Sequence, residues 1–248
     1  MAAPTLLYVT QVAPYRDGPA GVHGVLDQSS TAVAQLADAA GLAFRRVTDV
    51  RTLESSELAA ARIVALFTIG ETPWSVDQRA VLLEGLRSGR TSILAVHSAT
   101  DACYGWDDYG QLVGARFDGH PWTQWCTLDV VEPSHPAVSH LGPTWRWHDE
   151  VYQFRDLRPD ARVLLSARAA ELGADSAAAD TNDPESSADA SSDLAAGRAH
   201  PLSWCFTEGA GRVLSTSLGH FPHAWESQDY LRHLAGGLEW LTTVGSRP

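Results

Sequence analysis

Short apolar runs of four or five residues recur along the first hundred positions, and a helix-type segment separates almost every pair. Leu6–Val9, Ile63–Phe67 and Ile93–Val96 are the runs, and Phe44–Val47, with Arg45 and Arg46 inside it, reads as a further strand. Runs this short and this uniformly apolar suit strands buried on both faces. Between them, Ser29 and Ser30 cap a helix carrying Val33, Leu36, Ala37 and Ala40, which Gly41 stops. A short helix follows at Glu54–Ala61, and Ser75–Gln78 has the spacing of a capping box before Val81, Leu82 and Leu86. Alternation of this kind predicts an α/β fold, a mostly parallel sheet with helices on both faces.

The second half is richer in strand signals, at Gln124–Val131, Arg162–Leu165, Leu202–Phe206 and Arg212–Thr216. Leu231, Leu234, Leu238 and Leu241 then place a last helix over Ser227–Thr243. One domain over residues 1–248 is expected. Within it, residues 169–199 are mostly Ala, Ser and Asp, with no aromatic side chain. Such a segment cannot bury enough apolar surface to offset its ordering entropy, and it reads as a mobile acidic surface insertion.

A formal charge of −12 argues against nucleic acid or an anionic membrane as partner. No apolar run is long enough to span a bilayer, and MAAPTLLYVTQ reads as a first strand rather than a signal peptide, so a cytoplasmic protein is expected. All 18 basic residues are arginine, which removes Schiff-base catalysis and the P-loop lysine. Cys103, Cys126 and Cys205 form no CxxC pair and read as buried thiols.

The chemistry points to histidine. His97 sits where the Ser92–Val96 strand enters a turn, at the sheet edge where open α/β folds place their sites. His120 lies between Gly119 and Pro121, in a loop. Glu150 closes the polar group Trp147-His148-Asp149-Glu150, which follows a strand, and His220 ends the strand beginning at Arg212, repeating the position of His97. These four could move protons as general acid and base. They could equally hold a divalent metal, Zn, Mn or Mg, although no tight ligand spacing such as HExxH is present and no cofactor is required by the sequence. His23, in the Gly- and Pro-rich first loop, borders the same edge. Trp106, Trp122, Trp125 and Trp225 lie near these segments, and indole faces can stack on sugars.

The segments VHSATDACYGWDDYGQLVGARFDGHP, HDEVYQF, HPLSW and GRVLSTSLGHFPHAW, with GGLEWL at the end, resemble the ThuA-like family, named for trehalose utilisation. The resemblance implies the flavodoxin-like, doubly wound sheet of class I glutamine amidotransferases, with extra strands in the second half. Those amidotransferases place a cysteine nucleophile at the strand–turn elbow; here His97 holds that place, which argues against a glutaminase. Carried over, the family's site comprises His97, Asp101, Tyr109, His120, Glu150, Tyr152, His220 and Trp225. His23, Asp101, Trp106, Tyr109, Trp122, Tyr152 and Trp225 are the expected substrate-binding set. The implied partner is a small carbohydrate, without nucleic acid or membrane; a homo-oligomer stays open. The leading expectation is an enzyme of sugar utilisation that eliminates, hydrolyses or isomerises a keto-sugar or glycoside by acid–base chemistry, with or without metal. Two alternatives stand beside it: a non-catalytic sugar-binding or regulatory protein, and a metal-dependent amide or ester hydrolase.

Overall fold

The structure is a computed structural model that describes residues 3–15, 18, 23–173 and 200–243. In chain order the elements are β1 (Thr5–Val9), α1 (Leu26–Ala39), β2 (Ala43–Val47), α2 (Ser55–Ala60), β3 (Ala61–Leu66), α3 (Val76–Arg87) and β4 (Ser92–Val96). Then come α4 (Tyr109–Val113), β5 (Arg116–Phe117), β6 (Trp122–Val130), β7 (Thr144–Val151), β8 (Phe154–Arg155) and β9 (Arg162–Ala167). The chain closes with β10 (His200–Glu208), β11 (Gly211–Thr216) and α5 (Gln228–Thr242).

Nine strands form one sheet in the order β2-β1-β3-β4-β11-β10-β9-β6-β7. The first five pair in parallel, the 2-1-3-4-5 order of flavodoxin-like sheets. The other four extend the sheet antiparallel. Because each of these pairings reverses direction, β7 runs with β4 and β11 and ends at the same edge. The α/β architecture is therefore as the alternation predicted, including the extra strands of the second half.

Burial explains the parallel half. Leu6–Val9 and Ile93–Val96 are at most 1% exposed, so both faces of these strands are covered. Val33, Leu234 and Leu238 belong to the apolar cluster on one face; Leu58, Leu82 and Leu86 belong to the cluster on the other. No helix of the described residues is long and apolar enough to cross a membrane.

Some local expectations are corrected. Ser29 and Ser30 do not cap α1, which begins four residues before Ser30, at Leu26. The Ser29 hydroxyl instead donates to the Leu26 carbonyl at 2.8 Å and accepts from Tyr8, deep inside the core. The capping box of α3 is present as expected, with Ser75 and Gln78 bonding each other's backbone N–H. His148, Asp149 and Glu150 do not follow a strand but lie within β7. At the start of the acidic stretch, Ala169–Glu171 form a 3-10 turn, and Leu172 is buried in the core. The rest of the expected insertion, 174–199, lies outside the described residues.

Candidate functional site

Three chain-distant loops meet at the carboxyl edge of the parallel strands: the one after β1 carries His23, the one after β4 His97, and the one after β11 His220. β7 brings Glu150 and, just beyond its end, Tyr152 to the same edge, while His120 stands two residues before β6. Beyond the strands the edge is laced by backbone. Ala13 N–H donates to the Ile69 carbonyl, Gly70 N–H to that of Asp101, and Cys103 N–H to that of Gly70, each at 3.0 Å.

His97 opens a 3-10 turn with φ of 48°, in the left-handed region that a side chain like histidine rarely adopts. Strain of this kind persists where the surroundings fix it, typically at functional sites. The surroundings here are specific. His97 Nδ1 donates to the Ser217 carbonyl at 2.7 Å, which leaves Nε2 as the acceptor. The Tyr152 hydroxyl donates to that Nε2 at 3.0 Å. His220 Nδ1 stands 3.2 Å from it, and Glu150 Oε2 3.5 Å.

Glu150 is the hub of the group. Its Oε2 lies 3.1 Å from His220 Nδ1, and its Oε1 4.0 Å from His120 Nδ1. Access divides the members. The His97 side chain has no exposed surface, Glu150 retains 12%, His220 26% and His120 30%. Solvent therefore reaches His120, His220 and Glu150, while His97 is enclosed behind them. Among the described residues, one nitrogen from each of His23, His97 and His220 falls in a set whose members all lie within 4.8 Å of one another.

Electrostatics sort the protonation states. Burial lowers His97 well below the usual imidazole value, with the neighbouring His23 adding to the effect. Burial lowers His23 to about 4. Burial pushes His220 down as well, but the hydrogen bond and charge of Glu150 outweigh it and the net shift is upward. For Glu150, burial raises the carboxyl, yet the His220 hydrogen bond and the surrounding imidazoles bring it down to about 2. The Tyr152 phenol is raised well above its ordinary value by burial, so it stays a donor.

A cavity of about 480 Å³ opens beside this group, lined by Tyr15, Asp101, Tyr104, Phe117, Asp118, Gly119 and Arg155. None of the histidines forms its wall. Phe117 joins the two, its ring 4.6 Å from Tyr152 and 5.8 Å from His120. Asp101 accepts hydrogen bonds from Tyr15 at 2.5 Å and Tyr104 at 2.6 Å, and Arg155 pairs with Asp118 at 2.9 Å. Walls of this type suit a polyhydroxylated ligand.

The expected indole platform is not there. Trp106, Trp122 and Trp225 are 5%, 7% and 4% exposed, and Tyr109 is fully buried. Trp225 stacks on Phe67, whose ring touches His23 and His97, and so supports the site from behind. Trp106 lies under Arg79, Trp122 meets His200, and Tyr109 packs beside Arg116. Trp125 is half exposed but contacts His148 rather than the imidazole group. Sequence reasoning also passed over Asp149. It is 1% exposed and accepts from Gly219 N–H at 2.8 Å, His220 N–H at 3.3 Å and Trp147 Nε1 at 3.0 Å. Burial raises its carboxyl to about 6, against the pull of these donors.

The ThuA family profile, described as trehalose utilisation, matches residues 15–241. The chain belongs to this family. Its fold is shared by solved ThuA-like proteins. One from Parabacteroides merdae has a TM-score of 0.70 at 18% identity, over 100% of this chain and 93% of its own. Another, from Bacteroides uniformis, has a TM-score of 0.71 at 14% identity, over 99% and 95%. A cytoplasmic protein of Salmonella typhimurium matches with a TM-score of 0.60 at 11% identity, over 96% and 98%. No curated protein matches the chain. Membership in this ThuA family points to a role in sugar utilisation. At the elbow after β4 this ThuA protein presents His97, not a cysteine. Its Cys103 is 2% exposed, with its thiol pushed up to about 12 by burial.

Proposed function

We propose that this ThuA protein is a cytoplasmic enzyme that performs acid–base chemistry on a keto-sugar or keto-glycoside. The observation that carries the reading is the gathering of Glu150 with His97, His120 and His220, within 4.0 Å of its carboxylate, beside a cavity walled by hydroxyl-binding groups.

A carbonyl on a sugar ring makes the neighbouring C–H acidic. His120, the most exposed of the three imidazoles around Glu150, takes that proton, and the C–H electron pair moves into the carbonyl to form an enolate. The enolate oxygen is stabilised by the electrophilic side of the group, where His220 is held by Glu150. In elimination the enolate pair re-forms the carbonyl, the bond to the glycosidic oxygen breaks, and the proton on His120 passes to that departing oxygen. In isomerisation the proton passes to the enolate oxygen, the neighbouring hydroxyl loses its own proton, and a proton returns at the former carbonyl carbon. Hydrolysis of a glycoside follows when water adds to the eliminated product. Asp101, Tyr15, Tyr104 and Arg155 bind the remaining hydroxyls. His97 and Tyr152 position the group from behind and touch no substrate atom.

Turnover of 3-keto-glycosides, compared with the parent glycosides and followed by NMR, tests this reading. Product from the keto compounds alone, reduced at least ~100-fold by His120→Ala and by Glu150→Gln, is the expected result. Equal rates in those variants, or no product from any keto-glycoside, overturns it.

A further inference from the structure

A buried imidazole normally has partners for its ring nitrogens. His23 is an exception: both its nitrogens are enclosed, and neither has a hydrogen-bond partner among the described residues. Leaving such groups unpaired costs free energy unless something else meets the lone pair. What faces His23 is two further imidazoles. The ring centres of His97 and His220 lie 4.9 Å and 5.4 Å from its own, and those two are 5.1 Å apart. The three rings cross at 87°, 77° and 64°, so they meet edge to face rather than stack.

We propose that His23, His97 and His220 hold a divalent cation, with the Glu150 carboxylate as a fourth donor. Four features support the assignment. One nitrogen from each ring lies within 4.8 Å of the others. Ligands of a tetrahedral ion with bonds of about 2.0–2.1 Å stand roughly 3.3 Å apart, so a small contraction closes the site. The Ser217 carbonyl fixes the tautomer of His97 by accepting from Nδ1, the outer-shell bond that metal-bound histidines make, and turns the Nε2 lone pair inward. Glu150 Oε2, 3.1 Å from His220 and 3.5 Å from His97, supplies the negative charge an ion needs in a buried setting. The Tyr152 hydroxyl, which donates to the same Nε2, would give up that bond and turn to the ion's water when the ion binds.

Three imidazoles and one carboxylate form a nitrogen-rich set. It favours zinc, or manganese, iron or cobalt in the same geometry, and disfavours magnesium, which prefers oxygen. Within the proposed reaction the ion is the electrophile that polarises the keto oxygen. That role rests on the keto-sugar reading; the binding itself does not. His120, 4.0 Å from the far oxygen of Glu150, is outside the set and remains the proton carrier.

The test uses the full chain, without an affinity tag, produced with zinc, manganese and cobalt in the medium, and dialysed. Elemental analysis of the wild type is expected to give about one ion per chain, and His23→Gln and His97→Gln below about 0.1. Adding the ion to stripped protein should raise the wild-type melting temperature and leave that of folded His23→Gln unchanged. Wild-type protein with no stoichiometric ion and no thermal shift with any of these cations overturns the proposal, as does full occupancy in His23→Gln. Bound metal without keto-glycoside turnover sinks only the functional reading. Turnover by fully stripped protein sinks the ion's catalytic role.

Discussion

Asp149 accepts the backbone N–H of Gly219 at 2.8 Å, and this bond ties β7 to the turn that carries His220. The same carboxylate reaches His220 N–H, so one buried acid sets the position of the imidazole facing Glu150. Gly219 allows the turn: its φ is +119°, and a Cβ there would stand 2.5 Å from the Tyr230 hydroxyl. Asp149→Ala leaves three backbone donors, Glu150, Gly219 and His220, and the Trp147 indole without their acceptor. A loss of about 3 kcal/mol is expected in denaturant melts. Asp149→Asn, which keeps one acceptor oxygen, should lose less stability but still lower turnover by displacing His220.

Stability should fall in mild acid, and His233 provides part of the reason. Nδ1 of this fully buried ring donates to the Ala137 carbonyl, Nε2 lies 3.3 Å from the Ser203 hydroxyl, and burial lowers the ring from 6.5 to about 4. Below 6.5 the unfolded chain takes up a proton that the fold refuses, so this contribution is whole above that value and lost as pH drops towards 4. Asp149 acts in the opposite sense, since its raised carboxyl binds a proton in the fold between about 6 and 3.8. Comparing wild type with His233→Gln cancels the Asp149 effect. Between about pH 7.5 and about pH 5 the wild type should lose about 2 kcal/mol more than the variant in urea titrations. Equal losses would remove His233 from the account.

Cys103 lies six residues beyond the elbow, buried, with a thiol that burial keeps protonated. Cys103→Ala should leave kcat within about twofold of wild type, at a stability cost of roughly 1 kcal/mol. Loss of turnover in a folded Cys103→Ala variant would reinstate thiolate chemistry.

Asp101 faces the cavity and is held by Tyr15 and Tyr104 rather than by the imidazole group. Asp101→Asn should therefore raise KM about tenfold and change kcat much less, the signature of a group that binds substrate and transition state alike. A fall in kcat at constant KM would move Asp101 into the chemistry.

The parallel half of the fold was legible because its strands are buried on both faces. Leu6–Val9 and Ile93–Val96 read as unbroken apolar runs, and His97 stood out as the first polar residue after one of them. The flavodoxin-like order and the family came instead from the resemblance, carried chiefly by VHSATDACYGWDDYGQLVGARFDGHP and GRVLSTSLGHFPHAW. The antiparallel half was harder. In β7 the inward set is Trp145, Trp147, Asp149 and Val151, and the buried acid breaks the apolar alternation that marks a strand. Strands β5 and β8 have two residues each, too few to show any period. The site was legible where an element ended on a polar side chain, as at His97 and His220. Cavity residues such as Tyr15 and Tyr104 sit in loops, and Arg155 in the two-residue β8, where spacing carries no signal. Tryptophan content misled, because Trp106, Trp122 and Trp225 are large enough to serve the core, and composition does not separate a core indole from a sugar platform.

Proton removal from the carbon beside a sugar carbonyl is the step on which the functional account depends. Its rate can be read directly as deuterium incorporation from D₂O into a 3-keto-glycoside, followed by NMR with excess substrate. Enzyme-dependent exchange at that carbon, at least ~100-fold slower in His120→Ala, is the predicted result. No exchange above the uncatalysed rate with wild-type enzyme, or exchange unchanged in His120→Ala, would contradict it.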